Sequence, residues 1–351
     1  MMVVDASPAP KIAIVIVNYR SDAYVKLCLE SLVPERECID GLKVVVVDGG
    51  SGDGSAERLA DLIATPAYRD WVSVLPLDFN GGFGWANNQA MLWLLQSERP
   101  PDFIHLLNPD TAVEPGAVAA LATLMTQHPQ AGAVGSCLLE PDGRRAGAAF
   151  RFPTTAREFG RGLKFTKVSR ALGFDPTHLT PRASCRVDWV TGASVMLRSD
   201  ALRQVGLFDD GFFLYFEEVE LMLRMKRAGW EVWHAPESRV THIGGVSTGV
   251  SGSTSAMRAP YPAYWYRSRR RFFALAYGAT GARRASIAWL AGHVIGSIRA
   301  RFNRAVAADA VPGERSGLLS HGITASPEDM TPATTAWNDK IGMPPAWSRW
   351  S

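Results

Sequence analysis

Lys43-Val44-Val45-Val46-Val47-Asp48-Gly49-Gly50-Ser51-Gly52-Asp53-Gly54 is the stretch on which the fold turns. Its consecutive valines leave no polar face, so it reads as a strand covered on both sides, as parallel strands are. The strand ends on a carboxylate, enters a Gly/Ser loop and gives way to helical spacing over Ala56–Ile63. Strand followed by helix implies a crossover to a parallel neighbour. Outward from this unit the alternation repeats. Ile12–Val17 is a second β-branched run, followed by Tyr24–Leu32 with Val25, Cys28, Leu29 and Leu32 on one helical face. Val72–Leu75 precedes a helix over Trp85–Leu95, and Phe103–Leu107 precedes one over Gly116–His128. Order resumes at Val187–Leu197, with helices after Ser199 and over Glu217–Ala228 and a strand at Glu231–His234. The expected class is α/β, a Rossmann-like, mainly parallel sheet flanked by helices.

In such sheets ligands bind beyond the carboxyl ends of the strands. Asn18, Asp48, Asn80, Asn108 and Asp110 fall at those ends. The 351 residues are 47% hydrophobic, enough for a substantial core, and a net charge of +3 gives no reason to invoke nucleic acid. The four cysteines form no CxxC pair, so neither a zinc site nor a disulfide frame is expected. Met1–Pro10 lacks the basic-then-apolar pattern of a signal peptide, and no apolar run is long enough to span a bilayer. The expectation is a cytoplasmic protein able to sit on the inner face of the cell membrane.

Residues 11–250 read as the catalytic domain, with an irregular, Arg/Gly/Pro-rich connection over Gly143–Arg186. Residues 251–310 form a basic, aromatic and amphipathic C-terminal helical extension, with no acidic residue between Glu237 and Asp309. Within it, Tyr264–Phe273 mixes aromatics with arginines, and Ile287, Leu290, Ala291, Val294, Ile298 and Phe302 share one helical face. Such a helix suits an anionic membrane surface; packing on the catalytic domain, with solvated arginines, is the other reading. Residues 311–351 are Pro/Ser/Thr-rich and expected to be poorly ordered until the aromatic end at Trp337, Trp347 and Trp350.

Each candidate motif has a bland and a sharp reading. The glycine loop after Asp48 lacks the spacing of a dinucleotide site and a Walker lysine; it is a capped turn, or it places Asp48 against a base or ribose. Asn108-Pro109-Asp110-Thr111 is a helix-capping turn, or Asp110 holds Mg²⁺ or Mn²⁺, which prefer oxygen ligands. Phe212–Phe216 leads into Glu217, Glu218 and Glu220, carboxylates that suit a helix start for dipole reasons. In an apolar cleft, one of them is instead a general base with a raised pKa. His242 is structural, or it helps hold phosphate or metal.

As an ordered set these motifs resemble the family-2 glycosyltransferases, and within them the bacterial rhamnosyltransferase-like branch. The series is Ile16-Val17-Asn18-Tyr19, Val46-Val47-Asp48, Asn80-Gly81-Gly82-Phe83-Gly84 with Asn87-Asn88, Asn108-Pro109-Asp110-Thr111, Gly192-Ala193, Phe213–Glu218 and His242. It covers roughly Lys11–Thr248. The resemblance implies a GT-A fold, a nucleoside-diphosphate-sugar donor linked to dTDP or UDP, a divalent metal and inversion at the anomeric carbon. It implies a saccharide or polyprenyl-diphosphate-linked acceptor in cell-envelope polysaccharide synthesis. By motif, Asn18 and Tyr19 line the nucleotide pocket, Asp48 meets the base or ribose, and Asn80, Gly82 and Asn88 shape the donor site. Asp110 is the metal-binding aspartate, with Asn108 in place of a first acid and His242 as a further ligand. Glu218 is the base, a Glu where the family has Asp, and Gly49 stands where Asn is usual. Trp189, Gly192, Ala193 and Glu217 are expected on the acceptor side. Two alternatives remain: a sugar-phosphate nucleotidyltransferase, whose Gly-rich basic loop residues 11–20 lack, and a nucleotide-sugar-binding protein without turnover.

Overall fold

The computed structural model describes residues 9–163, 177–243, 260–300, 311–324 and 331–349. Its central sheet is built on β1 (Ile12–Asn18), β2 (Lys43–Asp48), β3 (Val72–Pro76) and β4 (Phe103–Leu107), which pair parallel in the order β3-β2-β1-β4. The sheet continues through strands that the sequence pattern does not mark or marks with other bounds. These are β5 (Thr111–Val113), β6 (Ala131–Leu139), β9 (Cys185–Val187), β11 (Ser194–Arg198) and β12 (Glu231–His242). β11 runs antiparallel to both β4 and β6, while β12 pairs parallel with β6 and antiparallel with β5 and β9. The sheet is thus mixed and mainly parallel, as expected. Two-residue strands β7 (Ala149–Phe150) and β8 (His178–Leu179) of the irregular connection form a small second sheet with β10 (Trp189–Val190), just beyond it.

Alternate residues of the valine strands feed opposite layers. Ile14, Ile16, Val44 and Val46 pack with α1 (Asp22–Cys38), α2 (Ser55–Ile63) and α4 (Ala117–Gln127). Val15, Val45 and Val47 join the layer of α3 (Phe83–Leu95), α6 (Ser199–Val205) and α7 (Glu217–Arg227). Burial on both faces explains why these strands show no polar alternation.

The C-terminal extension is α8 (Ala263–Tyr277) and α9 (Gly281–Ala300), and α9 crosses α5 (Thr155–Leu163) at close range. A Cβ at Gly292 would lie 2.2 Å from the Phe159 carbonyl oxygen. Both readings of the arginine run need correction. Arg269, Arg270 and Arg271 are neither solvated nor available to a membrane; they are buried. Arg269 Nη2 lies 2.5 Å from Glu158 on α5, and Arg271 Nη2 lies 2.7 Å from Asp209. Phe272 and Phe273 beside them are fully buried, so α8 is pulled inward by its apolar face and its charges follow. Burial pushes the Glu158 carboxyl up, but the Arg161 and Arg269 charges outweigh it and hold the group down at about 2.

For residues 331–349 the expectation of a poorly ordered tail is corrected, while residues 325–330 and 350–351 lie outside the described residues. Residues 331–349 lie along α3 and the loop before α7, through backbone bonds such as Leu207 N to Thr335 O at 2.8 Å and Asp210 N to Ala333 O at 3.0 Å. Phe302, Trp350 and residues 251–259 of the expected extension lie outside the described residues.

Removing one partner of a buried ion pair strands the other. Arg269→Ala is therefore expected to lower unfolding stability by roughly 3 kcal/mol, whereas exposed Arg267→Ala should change it by about 0.5 kcal/mol or less. Urea denaturation of the two variants checks this.

Candidate active site

The register Asn18↔Asp48 in β1 and β2, with Ile16↔Leu107 in β1 and β4, brings three strand ends to one edge. There Asn18 Nδ2 donates to Asp48 Oδ1 at 2.7 Å, and Ser51 donates to both Asp48 oxygens, from Oγ at 2.7 Å and from N at 3.0 Å. Asn18 Oδ1 in turn accepts from Ser21 N and Oγ. The buried pair is thereby spent on bracing the loops, and Tyr19 and Gly49 face the cleft above it.

The cleft encloses about 390 Å³, a size suited to a small-molecule site. On one wall stand Asn108, Pro109 and Asp110. Asn108 N bonds the Ala193 carbonyl at 2.9 Å, which sets Gly192 and Ala193 beside it. β12 continues past a bulge between Ala235 and Arg239 to pair with β5, and Ile243 N bonds the Asp110 carbonyl at 3.0 Å. His242 therefore reaches the wall. Its Nε2 lies 3.3 Å from Asp110 Oδ1 and 3.4 Å from Asn108 Nδ2.

The loop Asn80–Phe83 and the aromatic run before α7 form the other wall. Asn80 Oδ1 accepts from Gly82 N at 2.9 Å, and Phe83 N donates to the Phe213 carbonyl at 3.1 Å. Only glycine fits at 82, where φ is +90° and a Cβ would lie 2.0 Å from that same carbonyl oxygen. Tyr215 and Phe216 follow at φ 70° and 69°, the left-handed region that L side chains rarely adopt. This turn aims Glu217 and Glu218 into the cleft at the start of α7. One oxygen of each carboxyl, Oε2, is enclosed and has no hydrogen-bond partner among the described residues. Burial lifts the Glu218 carboxyl to about 7. Burial, and then the Glu218 charge beside it, push Glu217 well above the carboxylate range.

Of the residues singled out by sequence, Tyr19, Asn80, Gly82, Asn108, Asp110, Gly192, Ala193, Glu217, Glu218 and His242 line this one cleft. Asn18 and Asp48 sit behind it. Expected to line the pocket and to meet the base or ribose, these two do not reach the cleft surface, and two further expectations of direct contact are corrected. Asn88 is fully buried on the far side of α3, where its amide bonds Phe208, Asp210 and Thr335. Trp189 stacks on Phe150 at 4.1 Å, and its Nε1 donates to the Arg151 carbonyl. Sequence reading missed Phe83, Thr191 and Tyr264 as lining residues. Tyr264 was visible only as one aromatic in the basic run, with nothing local to say that α8 begins at the cleft mouth.

Comparison with known proteins bears on this arrangement. The family described as "Glycosyltransferase like family 2" matches residues 8–267. An N-acetylglucosaminyl-diphospho-decaprenol L-rhamnosyltransferase of Mycobacterium tuberculosis is 29% identical over 250 residues, 67% of this chain and 77% of that protein. The rhamnosyltransferase WbbL of Escherichia coli is 25% identical over 238 residues, 65% of this chain and 82% of that protein. Among solved structures, GalNAc-T7 with UDP, GalNAc and Mn²⁺ superposes with a TM-score of 0.50 at 16% identity, covering 76% of this chain and 50% of that one. That likeness speaks for the GT-A fold alone. The nucleotidyltransferase alternative is not favoured. With its motifs in order along the chain and the match spanning most of its length, the protein belongs to glycosyltransferase family 2 and is a glycosyltransferase.

Proposed function

We propose that this enzyme transfers a 6-deoxyhexosyl group, rhamnose carried on a deoxythymidine diphosphate, to a hydroxyl of a polyprenyl-diphosphate-linked saccharide, with inversion. The observation that carries the mechanism is a cleft with chemically opposite walls. One holds Asp110, His242 and Asn108; the other presents Glu218, a carboxylate in an apolar setting. The donor and acceptor classes are supported by the two rhamnosyltransferase relatives, one of which acts, by its name, on a decaprenol-linked diphosphate.

The residues present fit a hard divalent ion in a specific way. Among the described residues no group of three or more His, Cys, Asp or Glu is placed to hold a metal. Asp110 and His242 would therefore hold Mg²⁺ or Mn²⁺ together with oxygens of the donor diphosphate. Such an ion offsets negative charge developing on the leaving diphosphate. The protein's own residues do the rest. Glu218, kept from full hydration, accepts the acceptor hydroxyl's proton as that oxygen attacks the anomeric carbon. One base and one displacement give inversion, so the paired carboxylates of a hydrolase are not needed. Glu217 orients the acceptor. The Gly82–Phe213 contact closes the wall against water, and Tyr19 and Asn80 flank the nucleotide.

No helix among the described residues is long and apolar enough to cross a membrane. The reading places the chain at the inner face of the cell membrane through α9. Ile287, Val294, Ile295 and Ile298 of that helix are about half exposed or more, at 50, 61, 51 and 56%. Arg283 and Arg284 are exposed at its start, a distribution suited to anionic headgroups.

A panel of nucleotide sugars, incubated with metal or with chelator, tests the reaction. Metal-dependent release of deoxythymidine diphosphate is expected, and Glu218→Gln should lower turnover about 10²- to 10⁴-fold with donor affinity nearly intact. Wild-type turnover in that variant would put the base elsewhere. Asp110→Ala should weaken donor binding only when metal is present. In vesicle flotation, the chain should bind phosphatidylglycerol liposomes at low salt, and the double variant Val294→Ser/Ile298→Ser should not. Absence of wild-type binding would discard the membrane contact.

A further inference from the structure

The C-terminal segment 331–349 reaches the cleft from outside, and it does so through one side chain. Trp347 Nε1 donates to the Gly81 carbonyl at 2.9 Å. Its ring stands edge-on to Phe213, with centroids 5.3 Å apart at 86°. Its backbone N–H bonds the Asp210 carbonyl at 3.3 Å. Gly81 adjoins the glycine that shapes the donor wall, and Phe213 is the residue whose carbonyl clasps that wall. Four residues after Phe213 comes Glu217, and then Glu218.

The rest of the segment is anchored along its length. Thr335 Oγ1 donates to Asp210 at 2.7 Å and accepts from Asn88 at 3.1 Å. Gly342 N bonds Gln89 at 2.6 Å, and the Met343 carbonyl accepts from Trp85 Nε1 at 2.8 Å. At its outer end, Gln96 Nε2 reaches the Trp337 and Asp339 carbonyls at 3.1 and 2.7 Å. Most of these bonds fix the strap to α3. Among the described residues of the segment, only Trp347 spans the two loops that meet at the cleft.

We propose that Trp347 is a positioning residue for transfer, holding the Gly81–Phe83 loop and the Phe213–Phe216 turn in the register that aims Glu218 at the acceptor. This rests on the proposed function for the role of Glu218, but the strap geometry stands apart from it. The strained turn explains why outside support is needed. Tyr215 and Phe216 hold positive φ only while their surroundings over-determine it. Trp347 supplies a hydrogen bond on one loop and an aromatic contact on the other, and the Phe83–Phe213 backbone bond lies between them.

The test uses full-length variants and two readouts. Trp347→Ala should lower kcat for nucleoside diphosphate release by about 10- to 100-fold, the scale of a slightly misplaced reacting group, with a much smaller change in donor KM. Trp347→Phe keeps an aromatic ring against Phe213 but loses the bond to Gly81, and should recover only part of the kcat. Gln96→Ala loosens the same strap far from the cleft and should leave kcat unchanged. Hydrogen exchange supplies the second readout: amides of 81–83 and 213–218 should exchange faster in Trp347→Ala, with the sheet unaffected. Wild-type kcat in Trp347→Ala, or an equal loss in Gln96→Ala, overturns the proposal. If the wild-type chain releases no diphosphate from any donor, the functional reading fails, and exchange alone decides the strap. Unchanged exchange in Trp347→Ala then overturns it as well.

Discussion

Tyr215 and Phe216, two consecutive L-residues held at φ 70° and 69°, turn the chain so that Glu217 and Glu218 enter an apolar cleft rather than solvent. Left-handed backbone costs roughly 1–2 kcal/mol per such residue, and burying two neighbouring carboxylates adds to that. The surroundings offset the cost. Ser268 Oγ on α8 holds the Leu214 carbonyl at 2.8 Å, and Phe216 packs against Trp265 and Phe272 of the same helix. Arg224, two turns into α7, pairs with Glu220 and reaches the Val205 and Leu207 carbonyls. The turn that presents the candidate base is therefore stabilised by α8, a helix outside the strand–helix pattern of the fold.

This dependence gives the C-terminal region its place in the protein. A run of arginines in a segment without acids invites a surface reading, yet α8 sends Arg269 and Arg271 inward to acids on other elements, Glu158 and Asp209. Asp209 also accepts from Ala333 N at 3.2 Å, so the same carboxylate ties α8 to the C-terminal segment. α8, that segment and the loop before α7 form one connected support, and the exposed apolar face of α9 is left pointing away from it.

What the sequence revealed, and what it hid, follows from where contacts lie. The valine runs announced β1 and β2 because burial on both faces leaves a signal in the run itself. Ala131–Leu139 is equally buried, but its alanines and glycines carry little strand preference, and β6 went unread. The strand pattern at Glu231–His234 runs into Pro236, which cannot donate to a ladder; a bulge absorbs the proline and the strand goes on to His242. Asp110 and His242 could each be nominated, but their meeting depends on the β5–β12 pairing, which no local pattern encodes. Asn88 shares the motif that supplies Asn80 and Gly82, and the helical turn sends it to the opposite side. The tail's partners lie far away in sequence, such as Gly81 for Trp347, so a Pro/Ser/Thr-rich composition concealed a well-bonded strap.

The central claim is that burial sets Glu218 to work as a base near neutrality. The most direct test is the pH dependence of kcat for nucleoside diphosphate release at saturating donor and metal. A base must be ionised to accept a proton, so activity should be half-maximal near pH 7, nearly full about one unit above, and fall about tenfold per unit well below it. A profile that stays flat down to about pH 5 would contradict the account, because a carboxylate of ordinary pKa, or none at all, would then be doing the chemistry.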